Sequence, residues 1–193
     1  LQQEFYSDFV SMQTLQSSSN ARKLATENGA AMAKKAQQTA QELIAYLQGS
    51  EALTRADAVY SLWLRSGSPK AKTSACPFAD VSESAYYYDA VLWAAEAGIV
   101  RGVSDSSFAP DATCTRAQAA AMIYRCAQAQ GKGFTGAWMF HLPFTDVPEW
   151  AYESVAWCYM NGVTTGVNET AFAPGNDCTR AQIVTFLWRA FGK

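Results

Sequence analysis

The pentapeptide Cys-Thr-Arg-Ala-Gln occurs at residues 114–118 and again at 178–182. A related copy, Leu-Thr-Arg-Ala-Asp, stands at 53–57. Around the two full copies, residues 78–130 and 144–192 repeat one another in order and spacing. Repetition at this period indicates an array of supersecondary units that share one core, so equivalent residues of the units are the place to look for function. The pattern predicts a repeated binding surface.

The front half of each repeat is predicted to be an extended lead-in followed by a helix. Apolar residues recur at three- and four-residue spacing over 86–97 in one copy and over 150–161 in the other. Gly98 and Gly162 follow these segments, at the place where a glycine commonly ends a helix. Both front helices are therefore expected to end in a glycine cap.

The back half of each repeat is predicted to be a loop and a second helix. Pro110 and Pro174 lie in the loops and favour extended backbone in the residue before them. The second helices begin at Thr115 and Thr179, and the early copy runs from 54 to 65. Apolar spacing predicts that their buried faces consist of Ala58, Leu62 and Trp63, of Ala119, Met122, Ile123 and Cys126, and of Ile183, Phe186, Leu187 and Ala190.

Helix capping explains the threonine and glutamine of the repeated phrase. A threonine at the cap position and a glutamine three residues later form a capping box, in which both side chains satisfy backbone N–H groups at the helix start. Thr115 with Gln118 and Thr179 with Gln182 fit this pattern. Asp57 fits as an acid in the first turn of the early copy.

Capping does not explain the arginine of the phrase. Arg55, Arg116 and Arg180 each place a cation at the first helical position, where an exposed positive charge costs about 0.3–1 kcal/mol. Two explanations remain open. An anion such as a carboxylate or phosphate is held there by free backbone N–H groups and the guanidinium fork. Alternatively, each arginine pairs with an acid of the neighbouring unit, such as Asp80 or Asp146.

These residues resemble S-layer homology motifs. The resemblance covers 78–193 as two whole units and 53–67 as the back half of another. It rests on Phe-x-Asp-Val at 78–81 and 144–147, on Trp-Ala-Tyr-Glu-Ser-Val at 150–155, on the glycine that ends the first helix, on Phe-x-Pro and on Thr-Arg-Ala-Gln. The motifs occur in the order and spacing of that family.

The resemblance implies a mainly α fold, in which three helix-loop-helix units form a pseudo-threefold array around a central helical bundle, with grooves between the units. It also implies non-covalent attachment of surface proteins to secondary cell-wall polymers of bacteria, often polysaccharides that carry pyruvate ketals. The arginine of the family's motif is a ligand residue, which carries over to Arg55, Arg116 and Arg180. The carboxylate of a pyruvate ketal is the kind of anion that a helix start would hold.

The predicted glycan-binding residues extend beyond the arginines. Gln118, Gln182 and Asp57 occupy the place of the family's glutamate. Tyr86 and Trp150 stand at equivalent helix starts, where they are either core residues or platforms that stack on sugar rings. The complete predicted set is Arg55, Arg116, Arg180, Gln118, Gln182, Asp57, Tyr86 and Trp150.

The N-terminal segment stands where the front half of the first unit would be. It contains a predicted helix from about 20 to 48 with a narrow apolar stripe, formed by Met32, Ala36, Ala40, Leu43 and Leu47. Two interpretations remain open: the helix completes the first unit, or it is a stalk or self-association helix that joins the anchor to a cargo domain. The predicted domains are an N-terminal helical segment at 1–50, a partial first unit at 51–75, a second unit at 76–132 and a third unit at 133–193.

Composition excludes several classes of protein. With 193 residues, of which 49% are apolar, the chain is long enough to bury one good core. A net charge of −2 and the lack of a basic run argue against a nucleic-acid partner. No run of 18 apolar residues is present, so membrane insertion is not expected. The start at Leu1 lacks the pattern of a secretion signal, which fits a secreted mature fragment.

The side chains needed for catalysis or metal binding are not grouped in the sequence. The five cysteines are odd in number and include no Cys-x-x-Cys pair, which argues against a zinc site and a full disulfide framework. Cys114 and Cys178 are expected to be small buried apolar residues, whereas a bridge from Cys76 is left open. His141 is the only histidine and lies in a linker. No enzyme activity, cofactor or metal is predicted.

The sequence therefore predicts a bacterial, extracellular module that anchors a surface protein to the cell wall by binding an anionic polysaccharide. The alternative is a structural or self-assembly module of a surface complex, in which the N-terminal helix carries subunit contacts and little or no glycan is bound. The predicted partners are the wall polymer and, through the N-terminal helix, a cargo domain or a second copy.

Overall fold

A computed structural model describes residues 51–135 and 141–192. By its contacts the chain separates into Leu1–Gly49 and Ser50–Lys193, and only the second part contains described residues. The described residues form five helices and no strand, which confirms the mainly α prediction. The helices are α1 (Arg55–Arg65), α2 (Tyr88–Glu96), α3 (Arg116–Ala129), α4 (Glu149–Met160) and α5 (Arg180–Phe191).

The second helices begin where the sequence predicts. Thr115 and Thr179 accept a hydrogen bond from the backbone N–H of Gln118 and Gln182, and each glutamine side chain accepts one from the threonine N–H, so both capping boxes are complete. Thr54 caps α1 in the same way through the N–H of Asp57. The threonines and glutamines of the phrase therefore fix the starts of α3 and α5.

Glycines end the front helices, as predicted. Gly98 has a φ of 69° and Gly162 a φ of 68°. The next residue, Ile99 or Val163, donates its N–H back to the carbonyl of Ala94 or Cys158, which is the Schellman arrangement. The predicted helices at 86–97 and 150–161 are corrected at their ends to Tyr88–Glu96 and Glu149–Met160.

The loops contradict the prediction that the residues before the prolines are extended. Ala109 and Ala173 have φ values of 55° and 57°, in the left-handed region that alanine rarely adopts. Asp80 accepts hydrogen bonds from the N–H groups of Phe108 and Ala109, both through its carboxylate. Asp146 does the same for Phe172 and Ala173. These charge-assisted bonds hold the unfavourable backbone conformation, which a rule based on the proline alone does not foresee.

Three backbone hydrogen bonds form a closed ring just before the second helices. Leu53 donates its N–H to the carbonyl of Cys178, Cys178 donates to Cys114, and Cys114 donates to Leu53, at distances of 2.8, 2.7 and 2.7 Å. The three residues are the equivalent first residues of the repeated phrase. The ring ties the three copies of the phrase to one another by the same bond.

The core surrounds the second helices. Helices α1, α3 and α5 contact one another in pairs, while α2 packs on α1 and α4 packs on α3. The residues predicted for their inner faces are buried or, at Trp63 and Ala190, half-buried against the core. The three-unit array remains a prediction, because the front half of the first unit would fall within residues 1–50, which lie outside the described residues.

The cysteines behave as predicted for small apolar residues. Cys114 and Cys178 are fully buried, and burial raises the pKa of their thiols to about 12 and about 11. Such thiols stay protonated at neutral pH and are poor nucleophiles. All five cysteines are free, including half-buried Cys76, so the bridge left open at that residue is not formed.

One face of α5 is exposed, whereas the equivalent face of α3 is buried. On α3, Ala120 and Tyr124 are buried, and the Tyr124 ring lies 5.8 Å from that of Trp157 on α4. On α5 the equivalent Val184 and Trp188 are 37% and 68% exposed. The predictions for the helix at 20–48, as part of the first unit or as a stalk, lie outside the described residues.

Candidate functional site

Arg55 reaches from the start of α1 into the loop of the second unit. Its Nε donates to the carbonyl of Phe108 at 2.9 Å and its Nη2 to the carbonyl of Arg101 at 3.1 Å. The guanidinium also lies over the Phe108 ring, 4.7 Å from the ring centroid. The side chain is only 4% exposed, and burial lowers its pKa. Arg55 therefore connects the first unit to the second.

Arg116 makes the equivalent connection between the second and third units. Its Nε donates to the carbonyl of Phe172 at 3.0 Å, and its guanidinium lies 4.8 Å from the Phe172 ring centroid. It too is 4% exposed. Its Nη2 is buried and has no hydrogen-bond acceptor within the described part of the chain. Of the side-chain nitrogens of Arg55 and Arg116, it is the one that is buried without an acceptor among the described residues.

Arg180 lies in a more open position. Its Nη1 forms an ion pair with the carboxylate of Glu51 at 3.1 Å, and the two side chains are 31% and 75% exposed. The positive charge of Arg180 at the start of α5 is thus balanced by Glu51, which lies just before the first copy of the repeated phrase. An exposed pair of this kind contributes at most about 1 kcal/mol.

The helix starts do not offer the free N–H groups that the anion prediction requires. Arg55 donates its backbone N–H to Ala112, Arg116 to Asn176 and Arg180 to Glu51, each across to the neighbouring unit. The backbone N–H groups of the three arginines are therefore already bonded, and an anion at these helix starts stays a prediction that rests on the guanidinium groups. The acceptors of these N–H groups are carbonyls of adjacent units, which the sequence of a single helix does not reveal.

The predicted ion pairs with Asp80 and Asp146 are also replaced by other contacts. Within the described residues neither Arg55 nor Arg116 forms an ion pair with these acids, whose oxygens accept the loop N–H groups instead. Partial desolvation raises the pKa of Asp80, but the bonds from Phe108, Ser107 and Ala109 outweigh it and the pKa is lowered. Backbone carbonyls and aromatic rings, rather than acids, hold the buried arginines.

The two predicted aromatic residues occupy equivalent places at the unit boundaries. Tyr86 is 59% exposed and donates its hydroxyl hydrogen to Asp57 of the first unit at 2.5 Å. Trp150 is 58% exposed and lines the same concavity as Gln118 of the second unit, which is the residue equivalent to Asp57. Each boundary therefore brings together the second helix of one unit and an exposed aromatic residue of the next.

A groove runs along the boundary between the second and third units. We call it the arginine groove; it is lined by Arg55, Arg101, Gly102, Val103, Gln118, Ala121, Met122, Arg125 and Trp150. Three of the predicted site residues meet there: Arg55, Gln118 and Trp150. The lining contains three guanidinium groups and, among the described residues, no carboxylate. Such a groove attracts anions and offers a flat aromatic ring beside them.

Sequence reasoning missed two residues of this groove, Arg101 and Arg125. Arg125 donates from Nη1 to the carbonyl of Ile99 at 3.4 Å, and the equivalent Arg189 donates to Val163 at 3.4 Å. The repetition of arginine at 125 and 189 is visible in the sequence and could have identified the first of the two. Arg101 has no such signal, because the third unit carries Thr165 at that place.

The other predicted residues lie outside the arginine groove. Arg116 connects the second and third units through Phe172 but does not line the groove, Arg180 and Gln182 lie at the start of α5, and Tyr86 and Asp57 meet at the boundary between the first and second units. A second concavity, in the third unit, is lined by Pro143, Phe144, Tyr159, Thr165, Gly166, Val167, Asn168 and Glu169. It contains no arginine, and Glu169 contributes a negative charge.

The described residues contain no group of histidine, cysteine and acidic side chains that could hold a metal ion. Within the same residues, no helix is long and apolar enough to span a membrane.

Comparison with known proteins finds one matching family and three similar proteins, two of which are named as surface proteins. The S-layer homology domain family matches residues 77–120 and 143–184. An endoglucanase of Bacillus sp. (strain KSM-635) is 30% identical over 122 residues, which is 63% of this chain and 12% of the relative. The surface-layer 125 kDa protein of Lysinibacillus sphaericus is 31% identical over 110 residues, covering 56% of this chain and 9% of the relative.

A cell surface protein of Thermoanaerobacter kivui is 32% identical over 123 residues, covering 60% of this chain and 15% of the relative. The chain thus spans between 9 and 15% of the length of these three relatives. In all three, the shared part is a small portion of a much longer protein.

Proposed function

We propose that this chain is a non-catalytic module that anchors a surface protein to the bacterial cell wall, because the S-layer homology domain family matches residues 77–120 and 143–184. The family match and the surface-layer and cell-surface relatives support anchoring and a cell-surface location. The match covers only a small part of each relative's length, which supports a module that is joined to other domains. An endoglucanase among the relatives is consistent with an enzyme as one kind of cargo.

The proposed ligand is an anionic secondary cell-wall polysaccharide, with the carboxylate of a pyruvate ketal as the recognised group. The observation that carries this proposal is the arginine groove, whose lining contains three arginines and no aspartate or glutamate. Guanidinium groups suit carboxylates because the two can form paired, charge-assisted hydrogen bonds. Since the chain as a whole is acidic, attraction for an anion has to come from a local cluster of this kind.

The predicted residues then take distinct roles. Trp150 presents an exposed ring on which a sugar can stack, next to the amide of Gln118. Arg55 forms the floor of the groove and also holds the second unit in place. Arg116 lies outside the groove, where its buried Nη2 has no acceptor among the described residues, and Arg180 and Gln182 are the corresponding residues at the start of α5.

We place Tyr86 and Asp57 at a further boundary with different chemistry. The pair presents an aromatic ring and a carboxylate instead of a ring and an amide. An anionic polymer should therefore bind less well there than in the arginine groove. Catalysis forms no part of the proposal.

Co-sedimentation with purified cell-wall sacculi tests the proposal. We expect the protein to sediment with intact sacculi, and to stay in solution after the secondary polymer has been stripped from them chemically. Mild removal of the ketals alone should release most of the protein if their carboxylates are the recognised groups. Equal retention on intact and stripped sacculi would mean that the polymer is not the ligand.

The alternative proposal is a self-assembly module with little glycan binding. The comparisons give no support to self-association through the N-terminal helix. Sedimentation velocity over a hundredfold range of protein concentration distinguishes the two proposals. A monomer at all concentrations counts against assembly, whereas a concentration-dependent oligomer that ignores intact sacculi would favour it.

A further inference from the structure

Two arginines of the groove, Arg101 and Arg125, form no ion pair with a carboxylate among the described residues. Arg101 is exposed, and its side chain makes no hydrogen bond or ion pair within residues 51–135 and 141–192. Arg125 is half-buried and uses Nη1 for the carbonyl of Ile99. Burial lowers the pKa of Arg125, and the nearby charge of Arg101 lowers it further. Both residues line the arginine groove, so two like charges share one concavity.

The third unit shows which of the two cations is structural. Arg189 repeats the bond of Arg125 to a loop carbonyl at the same distance, so this arginine belongs to the architecture of both units. Arg101 has Thr165 as its counterpart. Only the carbonyl of Arg101 has a structural role, because it accepts the Nη2 hydrogen of Arg55. The Arg101 side chain is specific to the second unit and makes no hydrogen bond or ion pair among the described residues.

We propose that the arginine groove binds two anionic groups of the polymer at once, with Arg101 and the free edge of Arg125 holding the second group. This inference rests on the proposed function, which supplies the first anionic group as the carboxylate of a ketal. The ligand would be a polysaccharide segment in which a neighbouring sugar also carries a carboxylate or a phosphate.

The distribution of donors supports two separate anions. Arg55 directs Nε and Nη2 at protein carbonyls, so it has fewer donors left for the groove. Arg125 has one terminal nitrogen engaged, and Arg101 has none. An anion between Arg101 and Arg125 would remove their mutual repulsion and accept charge-assisted hydrogen bonds from both. The exposed ring of Trp150 borders the same groove and can hold the sugar that joins the two groups.

Isothermal titration with defined disaccharides tests the inference. One probe carries a single pyruvate ketal. Two further probes carry the same ketal and, on the neighbouring sugar, either a carboxylate or a phosphate monoester. We expect the wild-type protein to bind at least one doubly charged probe about tenfold more tightly than the singly charged probe. The arm with the stronger effect identifies the second group.

The key variant is Arg101→Thr, which reproduces the residue of the third unit. It should fold normally, since the backbone carbonyl that accepts from Arg55 is retained, and it should bind all three probes with similar affinity. Lys70→Thr is the matched control: it removes one positive charge from an exposed side chain that does not line the groove, and the tenfold preference should persist.

The outcomes separate the inference from the proposed function. If the wild-type protein binds no probe, the proposed function fails and the inference fails with it. If it binds the singly and doubly charged probes equally, or if Arg101→Thr keeps the preference, the second anionic group is disproved while glycan binding stands. A loss of preference in Lys70→Thr as well would show that net charge, rather than Arg101, is responsible.

Discussion

At the scale of the residue, the arginine of the repeated phrase connects units. The sequence indicates that helix capping does not explain this arginine, and in the structure the caps are formed by the threonine and the glutamine. Arg55 and Arg116 leave the helix axis, bury their guanidinium groups and donate to loop carbonyls more than fifty positions away in the chain. The direction of a long side chain depends on what the neighbouring unit offers, and this is the information that a single repeat does not contain.

Replacing Arg55 by methionine should destabilise the fold. The change removes two charge-assisted hydrogen bonds and leaves the carbonyl of Phe108 without its donor inside the protein. We expect the free energy of unfolding to fall by about 2–4 kcal/mol, measured by urea denaturation. Lys70→Met, at an exposed position, is the control and should change it by less than about 0.5 kcal/mol. An equal, small effect of both variants would show that Arg55 has no structural role.

The two loop aspartates should make stability depend on pH in the acid range. Hydrogen bonds from the loop amides, acting against desolvation, lower the pKa of Asp80 and of Asp146 below the usual value of 3.8. Their stabilisation is present above the unfolded-state pKa and is lost as the pH falls through the folded-state pKa. The melting temperature of the wild-type protein should therefore drop steeply below about pH 4.

The double variant Asp80→Asn with Asp146→Asn tests this assignment. Its melting temperature should be lower at pH 7 and should fall less steeply between pH 5 and pH 2, as followed by circular dichroism. Asp105→Asn alters an acid of the same loop that accepts no hydrogen bond among the described residues, and it should retain the wild-type profile. A double variant with the wild-type acid slope would mean that other carboxylates control acid unfolding.

At the scale of the element, the helices and their ends could largely be predicted. Periodicity locates all five helices, and the Thr-Arg-Ala-Gln phrase locates the starts of α3 and α5 through their capping boxes. The loops could not be predicted to the same degree. Ala109 and Ala173 adopt positive φ because carboxylates from the lead-ins of their units bind the adjacent amides, and nothing next to them in the chain announces that contact.

The glycine caps offer a test at this scale. Gly98→Ala should lower the free energy of unfolding by about 1 kcal/mol, because alanine is strained at a φ of 69° although an added Cβ meets no atom within 4 Å. Gly162→Ala should behave alike, at a φ of 68°. Urea denaturation provides the measurement.

Gly175→Ala is the matched control for the caps. Its Cβ would also meet no atom within 4 Å, and its φ lies outside the left-handed region. It should leave stability unchanged or raise it slightly, because alanine restricts the unfolded chain. A similar loss at all three glycines would mean that something other than the cap conformation determines the cost.

Across the whole molecule, the repeated units share the same backbone connections but differ in the side chains at their boundaries. The ring formed by Leu53, Cys114 and Cys178 joins the three copies of the phrase by equivalent bonds. The boundaries nevertheless differ: one contains Arg101 and Trp150, and another contains Asp57 and Tyr86. Family resemblance predicts grooves but not which of them is cationic, because that depends on side chains that the motifs do not include.

Two exposed tryptophans make it possible to test whether the arginine groove binds the wall polymer. Trp150 lines the groove and is 58% exposed, whereas Trp188 lies on α5 outside its lining and is 68% exposed. The measurement is the dissociation constant for purified secondary cell-wall polymer, compared between Trp150→Ala and Trp188→Ala. We predict binding about tenfold weaker for Trp150→Ala and unchanged for Trp188→Ala. Equal affinities of the two variants, or a loss confined to Trp188→Ala, would contradict the account.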